Sequence, residues 1–155
     1  MLRALTLAAV VIVVSGSAVA DTDETTLHAG PKVIMRYREL IKKGEIEAAK
    51  KLELRDPRLR LEDRDRFRRD LQELSQTQRL LIRECWKMSK QIVGATNSIH
   101  LRPDRKNVLV LIAKESEGEW FVASQSVHSP ERWAKTRARI QDEGGTRIYE
   151  SKSVE

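Results

Sequence analysis

The sequence predicts an α+β fold: N-terminal helices and one long central helix packed on a three-stranded antiparallel meander, plus a short C-terminal helix. Three patterns predict this. Apolar residues recur every three or four positions over 62–93, which is the spacing of one helix face. At 108–113 a continuous run of branched apolar residues is typical of a buried strand. Finally, Ser129 and Pro130 form a helix start, with the serine as N-cap and the proline in the first turn of a helix over 130–143.

Two short helices are expected before the central one. Pro31 suits the first turn of a helix, and the apolar residues that follow it as far as Ile41 fall on one face. Gly44 ends that run. A second helix is predicted over 45–54, and Pro57 prevents it from continuing.

The central helix is predicted to run from 62 to 93 and to stop at Gly94. Its apolar stripe includes Leu81 and Cys85, which are therefore expected to be buried. The polar run at 75–78 is the place where a bend or break is expected.

Charged residues alternate in sign along the first half of that helix. Several opposite charges lie four positions apart, where a helix brings them together at about 0.2–0.5 kcal/mol per pair. These pairs are Glu62 with Arg66, Asp65 with Arg69, Arg66 with Asp70, and Arg69 with Glu73. We therefore interpret this stretch first as a solvated face, and only second as a polyanion-binding patch.

The meander is predicted from three apolar segments separated by turn residues. The strand at 108–113 is expected to pair with 120–123 across a turn at 116–119. A third strand at 96–101 would precede them, turning at 102–107. The alternative architecture is a helical bundle with a lone hairpin.

The first twenty residues have the three parts of a secretory signal peptide: Arg3, an apolar run at 4–14, and small residues at 18–20. The apolar run is shorter than the roughly 17–25 residues of a membrane-spanning helix, which argues against an uncleaved anchor. We expect cleavage after Ala20 and export to the periplasm or the extracellular space. The predicted organisation is a signal peptide at 1–20, a flexible arm at 21–30, a single domain at 31–143 and a polar tail at 144–155.

Composition limits the partners and the redox chemistry. The 155 residues carry a formal net charge of +6, and such a basic excess favours anionic partners such as envelope lipids or polyanionic glycans. Nucleic acid is not expected as a partner of an exported protein. Cys85 is the only cysteine, so no internal disulfide can form, and its place on the apolar stripe favours a buried thiol.

No motif in the sequence predicts a catalytic, cofactor or metal site. The seven glycines form no phosphate-binding loop, and no nucleophile elbow is present. The three histidines, His28, His100 and His128, do not have the spacing of metal ligands. His100 and His128 bracket the meander and could approach each other, but a structural or exposed role is the preferred interpretation.

Two short segments carry a resemblance to a known superfamily. The first is KGEIEAAKKL at 43–52, in which a helix end and a glycine are followed by a helix with paired alanines. The second is EGEWFV at 117–122, which is predicted to form a hairpin. With the order of elements, they resemble small exported domains of the nuclear transport factor 2-like (cystatin-like α+β) superfamily. The resemblance implies a cone-shaped domain. Because such domains serve as enzymes, ligand carriers or assembly modules, it implies no single function, and no functional residue is carried over.

Three functions remain open on the sequence. The first is an exported, non-enzymatic accessory or binding domain, with another envelope protein or an anionic surface as partner and no cofactor. The second is a small-molecule-binding or enzymatic domain with a cavity between sheet and helix, for which the candidate residues are His100, Glu84 and Trp120. The third is a polyanion or envelope-surface binder, for which the candidate residues are Arg55, Arg58 and Arg60.

Overall fold

The computed structural model describes residues 27–58 and 60–151, which form an α+β fold with four helices and a five-stranded antiparallel sheet. In chain order the elements are α1 (Ala29–Lys43), α2 (Ile46–Lys50), α3 (Leu61–Thr77), β1 (Ile82–Met88), β2 (Gln91–Arg102), β3 (Arg105–Ser116), β4 (Glu119–His128), α4 (Pro130–Asp142) and β5 (Thr146–Glu150). The predicted signal peptide at 1–20 lies outside the described residues, as does most of the predicted arm at 21–30. α1 begins within the last two positions of that arm.

The strand order in the sheet is β4-β3-β2-β1-β5. β1 to β4 form a continuous meander, and β5 returns from α4 to pair antiparallel with β1. The segment after α2 adds a short parallel bridge to β4: the Val122 N–H donates to the Leu52 carbonyl, and the Leu54 N–H donates to the Val122 carbonyl, both at 2.8 Å. This bridge places Glu53 beside the outer strand.

Helices cover both faces of the sheet. α1 and α3 lie on one face, where Ile34 of α1 packs in a cluster with Cys85. α4 lies on the other face, where Trp133 and Ile140 pack in a cluster with Trp86. Successive side chains of a strand point to opposite faces, so the neighbouring residues Cys85 and Trp86 contribute to different cores.

The predicted central helix is wrong beyond residue 77, because the chain turns into strand β1 rather than continuing to residue 93. β1 is buried on both faces, so its apolar residues do not alternate with polar ones, and their spacing matched a helical stripe. Ser89, with φ of 49°, lies in the turn to β2 in place of the glycine or asparagine that usually marks a hairpin. Gly94, predicted as a helix stop, lies inside β2, where an added Cβ would be 3.2 Å from the Ile34 Cδ1 atom.

The predicted meander of three strands is also wrong in size, because the sheet has five strands. The predicted strands at 96–101, 108–113 and 120–123 fall within β2, β3 and β4, and the structure adds β1 and β5. β5 lies in the segment expected to be a polar tail. The helix predicted at 130–143 matches α4, whereas α2 is shorter than expected, and the bundle with a lone hairpin is excluded by the sheet.

Candidate functional site

A concave surface with a mainly apolar lining is a cleft between the helices and the outer strand, with a volume of about 160 Å³. Its walls come from α1, α3 and β4, and we call it the Tyr37 cleft. The residues that line it include Tyr37, Glu53, Arg64, Phe67, Val122 and Gln125. Tyr37 reaches the cleft because it lies on the buried face of α1 with Ile34 and Ile41, which anchor that helix on the sheet.

Glu53 forms the polar floor of the Tyr37 cleft. The Tyr37 hydroxyl donates to its Oε1 at 2.8 Å. Arg68 donates from Nε to Oε1 at 2.6 Å and from Nη2 to Oε2 at 2.9 Å, in a bidentate pair. Arg64 adds an ion pair with Oε2 at 3.6 Å and donates to the Leu54 carbonyl at 2.5 Å. Both carboxylate oxygens of Glu53 are therefore occupied by side chains from two helices, α1 and α3.

Hydrogen bonds and charges within this network fix the protonation states of Tyr37 and Arg68. Burial, with the charge of Glu53 and its hydrogen bond, raises the pKa of the Tyr37 hydroxyl far above the usual range for tyrosine. Hydrogen bonding to Glu53 raises the pKa of the Arg68 guanidinium. Tyr37 consequently stays a hydrogen-bond donor and Arg68 stays charged at any physiological pH.

Gln125 supplies a buried acceptor in the Tyr37 cleft that the described residues leave unused. It pairs across the sheet with Leu111, whose side chain packs in the core under α1, and residues opposite each other on paired strands point to the same face. The Gln125 Oε1 atom is buried and has no hydrogen-bond partner within the part of the chain that the structure describes. A buried acceptor without a donor costs roughly 1–3 kcal/mol, so a ligand that supplies a donor would recover this energy.

Comparison with models of known protein families, with curated proteins and with solved structures found no match.

Residues 27–58 and 60–151 lack two further features. No helix in these ranges combines the length and the apolar character needed to cross a lipid bilayer. Among the same residues, no three side chains of the histidine, cysteine, aspartate and glutamate types converge as metal ligands would.

The arginines predicted to bind anions lie in the exposed connection between α2 and α3. The Arg58 side chain is engaged by a neighbour: its Nε and Nη2 atoms donate to the two Asp56 carboxylate oxygens at 3.1 and 3.2 Å. These hydrogen bonds lower the pKa of Asp56. Arg55 and Arg60 form no salt bridge with other described residues, and the anion-binding role of the three arginines stays a prediction.

The three residues predicted for a pocket are not brought together. His100 is exposed near the end of β2, and its backbone N–H donates to the Gln78 Oε1 atom at 2.7 Å. Glu84 is buried under α4, where it accepts from the Trp133 Nε1 atom at 2.9 Å. Trp120 opens β4 and packs edge-on against His28, with ring centroids 5.3 Å apart. None of the three lines the Tyr37 cleft.

The expected pairing of charges along α3 is also wrong. None of the four pairs expected at a spacing of four residues is a salt bridge among the described residues, whereas Arg64 and Arg68 pair with Glu53. One signal for this site was available in the sequence. Arg68 lies three positions before Leu71 of the apolar stripe, which places it beside that stripe on the helix surface. Such an arginine requires a buried acidic partner.

Proposed function

We propose that the protein is an exported, non-enzymatic binding domain whose Tyr37 cleft takes a small, mainly apolar group that carries a hydrogen-bond donor. The observation that carries this proposal is the buried, unused Gln125 Oε1 atom in a cleft whose accessible surface is mainly apolar. Export is the part of the proposal that rests on the leader pattern at 1–20.

The size of the Tyr37 cleft supports a single ring as the bound group. An apolar cavity of about 150 Å³ is known to bind benzene, and the volume here is about 160 Å³. Phe67 and Val122 supply apolar contacts. A phenol-like or indole-like group would satisfy the Gln125 acceptor while its ring fills the rest of the space.

The engagement of Glu53 favours binding over catalysis. A general base needs a lone pair directed at the substrate, but both carboxylate oxygens of Glu53 accept hydrogen bonds from Tyr37 and Arg68. The network therefore serves to hold the cleft in shape before the ligand arrives. A preformed site of this kind loses little entropy on binding.

The test is a comparison of phenol with toluene, which have the same shape but differ in the donor. Both are titrated into the isotopically labelled protein, and amide shifts of cleft residues are followed by NMR. We expect phenol to bind about tenfold more tightly than toluene, and Gln125→Met to remove that preference. Gln141→Met, an exposed change on α4, is the matched control and should leave the preference intact. If neither compound shifted the amide signals of cleft residues, ligand binding in the cleft would be contradicted. An equal affinity for both compounds would contradict the role of Gln125.

A further inference from the structure

A second concave surface lies where α1, the end of α3 and the start of β1 meet. It consists of two adjoining depressions of about 550 and 270 Å³. Arg38, Arg79 and Leu81 line both depressions, which therefore form one continuous surface that we call the cationic groove. It is separate from the Tyr37 cleft and shares no lining residue with it.

The charged residues that line the cationic groove are all basic. They are Arg38, Lys42, Arg79 and Arg83. None of them forms a salt bridge with another described residue. This contrasts with the Tyr37 cleft, where Glu53 neutralises the arginines. Clustered positive charge in a concave surface raises the local concentration of anions.

Arg38 brings a hydrogen-bond donor without a partner to the cationic groove. Its Nε atom is buried and has no hydrogen-bond partner among the described residues. Burial lowers the pKa of this guanidinium, and the charge of Glu39 opposes that shift. Buried polar groups in folded proteins nearly always have a partner, so an acceptor that approaches Arg38 from the groove would complete its hydrogen bonding.

The backbone that carries these arginines is held in place. The Asn97 side chain fixes the loop before β1: its Nδ2 donates to the Arg79 carbonyl and its Oδ1 accepts from the Leu81 N–H, both at 2.9 Å. The Gln78 side chain forms two hydrogen bonds with the backbone of His100, both at 2.7 Å. The basic side chains thus extend from a preorganised frame, which reduces the entropy lost on binding.

We propose that the cationic groove binds a phosphate group, either a free phosphate ester or a lipid headgroup, with Arg38 and Arg79 as its principal ligands. Guanidinium groups match the geometry of a tetrahedral oxyanion because they donate two parallel hydrogen bonds. Arg83 and Lys42 add positive charge, which suits a dianion. The proposal is independent of the Tyr37 cleft and of its ligand.

The first experiment follows arginine Nε–H signals by NMR while inorganic phosphate is added to the purified protein, with chloride at matched ionic strength as the reference. The Arg38 signal should move saturably with phosphate. The double variant Arg38→Gln/Arg79→Gln should bind phosphate about tenfold more weakly. The matched variant Arg66→Gln/Arg69→Gln removes the same charge from exposed positions of α3 and should change the affinity by less than about twofold. No saturable shift, or equal losses in the two variants, would overturn the proposal.

A second experiment separates the two sources of phosphate. Flotation is measured with vesicles of phosphatidylcholine alone and of phosphatidylcholine with phosphatidic acid. Loss of flotation on phosphatidic acid in the groove variant alone assigns the site to a lipid headgroup. Unchanged flotation, combined with weakened binding of inorganic phosphate, assigns it to a soluble phosphate ester. If circular dichroism shows that the double variant is unfolded, the single exposed change Arg79→Gln replaces it. That variant should bind about threefold more weakly, and an unchanged affinity would overturn the proposal.

Discussion

Arg68 of α3 donates two hydrogen bonds, at 2.6 and 2.9 Å, to the carboxylate of Glu53, which lies in the segment before α3. Only 6% of the Arg68 side chain and 9% of the Glu53 side chain are exposed. Tyr37 donates to the same carboxylate from α1. This buried pair therefore joins α3, α1 and the edge of the sheet, and the shape of the Tyr37 cleft depends on it.

The first prediction is that Arg68→Ala lowers the free energy of unfolding by about 3–5 kcal/mol. Removing the arginine leaves the Glu53 carboxylate buried with its main counter-charge lost. Arg69→Ala changes the next, exposed residue and should cost less than about 0.5 kcal/mol. Urea denaturation of both variants measures the difference. Similar losses in the two variants would mean that the Glu53 pair does not stabilise the fold.

The second prediction concerns Cys85 and alkaline pH. Cys85 is fully buried, and burial, followed by the charge of Glu84, raises the pKa of its thiol from the ordinary 9.0 to about 12. The unfolded chain therefore loses this proton from about pH 9 upward, whereas the folded chain keeps it to about pH 12. The stabilising contribution of the protonated Cys85 thiol is present below pH 9 and is lost as pH rises, by about 1 kcal/mol between pH 9 and 10.

Measurement of the unfolding free energy at pH 8, 9 and 10 tests this pH dependence, with Cys85→Ala as the control variant. The variant should decline by about 1 kcal/mol less than the unchanged protein in that interval. The decline that remains comes from Tyr37 and Tyr149, because burial raises the pKa of both hydroxyls above the ordinary value of 10.0. A water-soluble thiol reagent should also label the native protein slowly and the protein in urea rapidly. Fast labelling of the native protein would contradict the burial of Cys85.

The third prediction compares two buried tryptophans on the α4 face. The Trp133 Nε1–H donates to Glu84 at 2.9 Å, whereas the Trp86 Nε1 atom is buried without a partner among the described residues. Trp133→Phe should therefore cost about 1–3 kcal/mol beyond the loss of packing, because it leaves the Glu84 carboxylate with one partner fewer. Trp86→Phe removes no hydrogen bond and should cost less. Thermal unfolding of both variants gives the order, and a larger loss for Trp86→Phe would contradict it.

The fourth prediction concerns the junction of α4 and β5. A Cβ at Gly145 would lie 2.8 Å from the Ile140 carbonyl oxygen and 2.9 Å from the Met88 Cγ atom. That carbonyl is held because it accepts the Gly145 N–H at 2.8 Å, so it cannot move away freely. Gly145→Ala should lower the free energy of unfolding by about 1–3 kcal/mol. Thr146→Ala, an exposed change at the next residue, should stay within about 0.5 kcal/mol in the same denaturation experiment.

Elements with a distinct local pattern were predictable from the sequence. The α+β class, α4 and the central strands have clear signals in Pro130, in the branched run at 108–113 and in the turn at 116–119. β1 has no such signal, because its apolar residues do not alternate with its three charged residues and instead continue the helix-like spacing of the preceding segment. β5 is short and polar at its ends, and only its pairing with β1 makes it a strand.

The Tyr37 cleft was harder to predict because its residues are distant in the sequence. Glu53 and Arg68 meet only when the bridge to Val122 brings the segment after α2 to the edge of the sheet. Burial of the Gln125 amide oxygen depends on its register with Leu111, in a strand pair that is interrupted by a bulge just beyond. Neither the bridge nor the register can be read from local pattern, since each depends on contacts across the whole domain.

The position of β5 has a consequence for the order in which the molecule can be assembled. β1 is the first strand of the chain, yet one of its two neighbours is the last: Trp86 pairs with Arg147. During synthesis β1 therefore remains an outer strand with an exposed row of backbone groups until residues 146–150 have emerged. Completion of the sheet is a late event, and a chain interrupted before Thr146 would present that row to other molecules.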